Sequence, residues 1–179
     1  MGILEEALVN QLLRTTPGFK RDIMEARIRV LLSAAPFTEV TGLPARRGAA
    51  DGGIDGVVRF SQINNGSLTP ETRAALNIKV RQTDFTREQL GGFILDMDRE
   101  KINTGIILTA AHLTPDAKAE LTRKNSEGMI ELLHIRLSDL LGGGRRFLNI
   151  YINGCPLNTL LADNLRDLIL EMLPSTSSL

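Results

Sequence analysis

The chain has no tryptophan and a single tyrosine, and aromatic residues make up only 4% of its 179 positions. Its interior must therefore be filled mostly by aliphatic side chains. With one cysteine an internal disulfide is excluded, which suits a reducing cytoplasm. Cys155 has no histidine near it in sequence and reads as a small packed residue rather than a nucleophile. The two histidines, His112 and His134, have neither metal-ligand spacing nor cysteine partners, so a zinc site is not indicated. His112, at a strand-to-helix turn, is expected to be exposed. Net charge is also missing: 21 basic residues balance 21 acidic ones. That excludes a non-specific nucleic-acid coat and leaves room for a local basic cleft. No stretch approaches the roughly 18 consecutive apolar residues of a membrane span. The start, Met1-Gly-Ile-Leu-Glu-Glu, lacks the basic and apolar regions of a signal peptide. A cytoplasmic protein without membrane partners is the expectation. There is no Walker-type phosphate loop, repeat or low-complexity tract.

What the chain does have is 42% apolar residues, the content of a globular domain of ordinary size with a real core. Residues 3–13 read as a short amphipathic helix with Ile3, Ala7, Leu8 and Leu12 near one face, ended by Pro17-Gly18. Residues 20–34 read as a second helix in which Ile23, Ala26, Val30 and Ala34 recur at helical spacing. On it Glu25 lies four residues from both Arg21 and Arg29, an arrangement that suits a surface ion pair. Residues 37–43 form a plausible strand between Pro36 and Pro44. Residues 86–101 suggest a helix opened by a capping box, Thr86 with Gln89. Its Gly91-Gly92 weakens it and implies close packing on a sheet. The apolar run 105–108 reads as a strand buried on both faces. Thr114-Pro115-Asp116 starts the next helix, and a strand at 129–133 completes a βαβ unit. After Gly142-Gly-Gly144 come Arg145-Arg146, a strand at 147–152, a turn at Asn153-Gly154 and a final leucine-rich helix at 156–173.

Two stretches carry candidate chemistry. Asp51-Gly-Gly-Ile-Asp55-Gly56 is a glycine-rich turn that delivers an acid onto a strand begun by Val57 and Val58. In Ala75-Leu-Asn-Ile-Lys-Val-Arg81 polar and apolar residues alternate. As a strand this puts Asn77, Lys79 and Arg81 on one face and Leu76, Ile78 and Val80 on the other. The turn signal Asn64-Asn65-Gly66-Ser67 lies between them. A hairpin folded there, with residues 68–73 in a long tip, brings Asp55 opposite Lys79. A carboxylate with a neighbouring oxygen donor can hold Mg²⁺, and a lysine beside it can stabilise a pentacovalent phosphate. The plainer reading is a turn with two acids and an exposed strand lysine.

Gly48-Ala-Ala-Asp-Gly-Gly-Ile-Asp-Gly56 followed by Asn77-Ile-Lys79 resembles the core of the Mrr-type restriction endonucleases, in the PD-(D/E)xK nuclease superfamily. The resemblance continues in Thr104-Gly-Ile-Ile-Leu-Thr-Ala-Ala-His-Leu-Thr-Pro-Asp-Ala117. It ends at Ile130-Glu-Leu-Leu133 and Leu137-Ser-Asp-Leu-Leu141, covering roughly residues 20–141. It implies an α/β fold, a restriction-endonuclease-like mixed central sheet flanked by helices. The expected units are an N-terminal helix (1–18), a nuclease core (19–141) and a strand-helix extension (142–179).

The resemblance also implies roles. Asp55 stands at the family's metal-binding acid and Lys79 at its catalytic lysine. Asn77 stands where the superfamily has Asp or Glu and this branch usually Gln, and a neutral amide is a weaker metal ligand than a carboxylate. Glu25 matches the helix glutamate that such enzymes aim at the site. The expected Mg²⁺ ligands, with Mn²⁺ as substitute, are Asp55, the Asn77 side chain, the Ile78 carbonyl and Glu25. Arg46, Arg47, Arg81, Arg145 and Arg146 are candidate DNA contacts. The expected activity is metal-dependent hydrolysis of DNA. Two alternatives stand beside it: a degenerate nuclease fold used as a DNA-binding or assembly subunit, and a structural domain with a buried Asp55–Lys79 ion pair. A homodimer through the C-terminal helix and a separate specificity subunit are further expectations.

Overall fold

The computed structural model describes residues 3–36, 53–142, 147–157, 166–167 and 169–171. The strand expected at 37–43 and the arginine pairs 46–47 and 145–146 lie outside them, as does most of the C-terminal helix.

The antiparallel arm of the sheet is built on β1 (Gly56–Asn64) and β3 (Thr72–Lys79), with Gly56 opposite Leu76 and Phe60 opposite Thr72. Between them β2 (Ser67–Leu68) pairs with the end of β1, Asn64 opposite Ser67. The turn is therefore two residues, Asn65-Gly66, with φ of 50° and 80°. Both central residues need positive φ in the hairpin turn that matches strand twist, which is why Asn-Gly serves. This corrects the long tip expected from the sequence. Residues 69–71 instead form a bulge: they face only Ser61 and Gln62, one extra residue on the returning strand. Pro70, which has no N–H to give a ladder, sits in that bulge.

Beyond β3 come α3 (Arg87–Arg99), β4 (Thr104–Thr109), α4 (Pro115–Glu127), β5 (Glu131–Arg136) and α5 (Leu137–Leu141), then β6 (Ile150–Ile152) and β7 (Cys155–Pro156). The strand order is β5-β4-β3-β1-β6-β7. β3, β4 and β5 are mutually parallel, while the β3–β1, β1–β6 and β6–β7 pairs are each antiparallel. β4, between β5 and β3, is buried along its whole length, as its unbroken apolar run implies.

The sheet separates two apolar layers. On one face Leu76, Ile78, Ile106 and Leu108 meet Leu12 of α1 (Ile3–Leu13), Met24 and Ile28. On the other Ala75 and Ile107 meet Phe93 and Met97 of α3. Helix and sheet pack tightly at a strand glycine. A Cβ on Gly105 would stand 2.6 Å from Met97 Sδ and 2.8 Å from Phe93 Cε1, whereas one on Gly91 would meet nothing within 4 Å. Gly91 is thus not explained by close packing. The capping box at α3 is formed: Gln89 N–H donates to Thr86 Oγ1, and Thr86 N–H donates to Gln89 Oε1. At α4 the Thr114 cap and first-turn Pro115 are in place, and left-handed Gly128 ends the helix.

The second helix departs most from expectation. Residues Phe19–Met24 wind as a π-helix, Glu25 N–H reaching back to the Lys20 carbonyl, before α2 proper (Glu25–Leu31). Pro17-Gly18 lead into this helix rather than merely closing the first. The buried positions are Met24, Ile28 and Leu32, while Ile23 and Val30 are exposed. In α1 the buried residues are Val9, Leu12 and Leu13, with Ile3 in solvent. No helix of the described residues is long and apolar enough to cross a membrane.

Candidate active site

The site forms where β1 begins and β3 ends. Asp55 immediately precedes β1 and lies across from Asn77, so by the pairing register the two share a face with Lys79. Asp55 N–H donates to the Leu76 carbonyl at 2.8 Å, which fixes its main chain. Its carboxylate Oδ2 accepts from Ile78 N–H at 2.7 Å and from Lys79 Nζ at 3.5 Å. Both side chains are largely withdrawn from solvent, Lys79 at 13% and Asp55 at 30% exposure. Burial pushes the Asp55 carboxyl above its ordinary value; Lys79, the Ile78 N–H and Arg29 oppose that push.

Asn77 is fully buried. Its amide donates to the Gly53 carbonyl at 3.0 Å, and that bond assigns which end of the amide is oxygen. Asn77 Oδ1 has no hydrogen-bond partner among the described residues. A buried carbonyl oxygen without a partner is costly unless something else fills its coordination. The donor set of Asp55 carboxylate and Asn77 amide oxygen is oxygen only, the chemistry of a hard cation such as Mg²⁺. Those residues therefore fit the ion. No group of three or more His, Cys, Asp or Glu gathers among the described residues, so a cation here would rest on few carboxylates.

Glu25 comes from α2. The turn from π to α geometry falls immediately before it, a kind of irregularity that recurs at functional sites. Its Oε1 accepts from Val80 N–H at 2.9 Å, one residue past Lys79. Burial lifts its pKa to about 7, with Lys79 and Arg81 pulling down and Asp55 pushing up. The surface ion pair read from the sequence is not made: Arg21 pairs with Asp22, and Arg29 Nη1 donates instead to the Asp55 carbonyl at 3.4 Å. Arg29 was not singled out from sequence except as a partner for Glu25. Its spacing of one turn from that residue was the available signal.

Arg81 lies beyond the end of β3, half-buried, with Nε and Nη2 enclosed and its charge felt at Glu25. Gln89 is spent on its helix cap. His112 is exposed, as expected, and His134 is held by Thr109.

The sheet order, the crossing helices and this end-of-strand site define a protein of restriction-endonuclease fold. Among solved structures it is similar to the DNA modification-dependent restriction endonuclease AspBHI, with a TM-score of 0.53 and 18% identity. The match covers 96% of this chain and 41% of that one, so the chain spans about two-fifths of AspBHI's length. Residues 19–140 match the Mrr catalytic-type restriction endonuclease family, and the chain belongs to that family. No curated protein matches it.

Proposed function

We propose that the chain is a metal-dependent endonuclease that hydrolyses DNA phosphodiester bonds. The observation that carries this reading is the convergence of Asp55, Asn77 and Lys79 on one face, with Glu25 brought to the same strand end. Asp55 and Asn77 Oδ1, with the Ile78 carbonyl and Glu25, are the residues that would hold Mg²⁺ or Mn²⁺. A cation bound there lowers the pKa of a coordinated water and offsets charge on the phosphate.

The chain's own groups then divide the work. The Lys79 ammonium orients the attacking water and faces the negative charge that grows on the phosphoryl oxygens. Glu25 would bind a second ion or a metal-bound water, and the proton of the attacking water passes to solvent. The water oxygen bonds to phosphorus as the P–O bond to the leaving nucleotide breaks. Arg46, Arg47, Arg81, Arg145 and Arg146 are proposed to hold the DNA backbone. Residues 1–18, 19–141 and 142–179 are proposed as leading helix, nuclease core and extension, the last offering a dimer contact. Specificity is assigned to a separate chain or domain. Cleavage of plasmid DNA by the pure protein with Mg²⁺, set against Asp55→Ala, tests the reading.

A second reading has one observation in its favour. The Asn77 amide is already engaged with Gly53, as in a site settled without a second acid. A nuclease fold kept for binding would hold DNA equally well with or without a divalent cation and cut none.

A further inference from the structure

Lys79 has a polar neighbour on the adjoining strand. In the parallel β3–β4 pair it is in register with Thr109, the last residue of β4. Such residues point to the same face about 4.8 Å apart, so the Thr109 side chain stands beside the lysine stem. Thr109 is buried, and a buried hydroxyl needs partners. It gives its proton to the Ala111 carbonyl at 2.6 Å. A hydroxyl has only one proton, so the 2.9 Å contact with His134 Nε2 runs the other way, with the imidazole donating. That fixes the tautomer of His134. Burial first, then Arg136 and His112, lower the His134 pKa to about 4 against the pull of Asp139. The ring is neutral at neutral pH with its single proton committed to Thr109.

The bond from Thr109 to Ala111 curls the chain just past β4. Beside that curl Ala110 N–H makes the last bond of the β3–β4 ladder, to the Lys79 carbonyl at 3.0 Å. The main chain around Lys79 is thus gripped twice: its carbonyl by Ala110, and the next N–H, of Val80, by Glu25. We propose that Thr109, oriented by His134, is a positioning residue for Lys79, holding its carbonyl through the 109–111 curl and so aiming the ammonium at the reacting phosphate. The proposal rests on the nuclease reading of the site. A hydroxyl that only satisfies the core would affect stability and nothing else.

Thr109→Val removes the hydroxyl at constant shape, Thr109→Ser restores it, and His134→Leu removes its donor should the valine variant fail to fold. Amide hydrogen exchange at Ala110 in the metal-free full chain is the first measurement. Exchange should be at least about tenfold faster in Thr109→Val and near parental in Thr109→Ser, with His134→Leu between them. Single-turnover cleavage of duplex DNA in Mg²⁺ is the second, with affinity measured in Ca²⁺. The rate should fall about 10- to 100-fold in Thr109→Val, with affinity unchanged, and recover in Thr109→Ser. Unchanged exchange at Ala110 overturns the proposal. So does faster exchange with a parental cleavage rate, or a serine variant as slow as the valine one. A parent that cuts no DNA overturns the nuclease reading and the catalytic half of this proposal, while exchange at Ala110 still decides whether Thr109 holds the Lys79 segment.

Discussion

Asn77 donates its amide hydrogen to the Gly53 carbonyl, 3.0 Å away, and leaves its own oxygen buried and unpartnered among the described residues. An aspartate at this position would set a carboxylate oxygen against that carbonyl and bury a second charge beside Asp55. Metal-free Asn77→Asp should therefore be less stable than the parent, by about 1–3 kcal/mol. The same added charge should tighten binding of Mg²⁺ or Mn²⁺. Thermal unfolding with and without metal checks both. The variant should melt lower without metal and gain more from it than the parent does. Equal gains in the two proteins would remove Asn77 from the ligand set.

Glu25 makes stability depend on pH. Its pKa rises from the ordinary 4.5 to about 7 on folding, chiefly through burial. The folded state therefore holds a proton that the unfolded state has released, and stability falls as pH rises between those values. Asp55, raised for the same reason, adds a slope of the same sign. Glu25→Gln keeps an acceptor for Val80 N–H and removes the titration. In metal-free protein it should gain on the parent by about 1–3 kcal/mol from pH ~5 to pH ~8. Denaturant unfolding across that range is the measurement, and parallel pH profiles would contradict it.

At Gly105 the sheet packs tightly against α3. Adding a methyl group at a position 2.6–2.9 Å from Met97, Phe93 and Leu132 side-chain atoms forces the core apart. Gly105→Ala should cost about 1–3 kcal/mol, whereas Gly91→Ala, with open space around it, should stabilise α3 by up to about 1 kcal/mol. Chemical denaturation of both variants checks the pair of signs. A neutral Gly105→Ala would show that Met97 yields without cost.

The site was legible in the sequence to different depths. Period-two alternation placed Asn77 and Lys79 on one strand face, and the Asn-Gly signal turned Asp55 toward them, because both rules are local. Periodicity failed on the second helix. Met24, Ile28 and Leu32 also recur at helical spacing, and the sheet buries that face while Ile23 and Val30 stay in solvent; the π-helical winding of Phe19–Met24 has no local sequence signal. Glu25 could be connected to the site only through the family resemblance, since its link to Val80 joins residues 55 positions apart. Thr109 figured only as part of the resembling stretch 104–117, and His134 only as a histidine without metal-ligand spacing. Their roles depend on the β3–β4 and β4–β5 registers, which no local pattern encodes. The bulge at Pro70 is not separable from a longer tip in the sequence, because a proline after a turn fits either.

The arginine pairs are proposed to grip the DNA backbone. Arg46→Ala with Arg47→Ala should weaken DNA affinity and lower its salt dependence. Affinity titrations in Ca²⁺ at several salt concentrations are the measurement, and parental slopes would place these residues off the DNA path.

The central claim is that Lys79 acts on the transition state beside a metal held at Asp55. A transition-state contact lowers turnover and leaves ground-state binding alone. The most direct measurement compares Lys79→Ala with the parent in two ways: DNA affinity in Ca²⁺, and single-turnover cleavage in Mg²⁺. The account predicts loss of cleavage by at least about a thousandfold with affinity nearly intact. A variant that cuts near the parental rate, or a parent that binds DNA and cuts it with no metal tested, would contradict it.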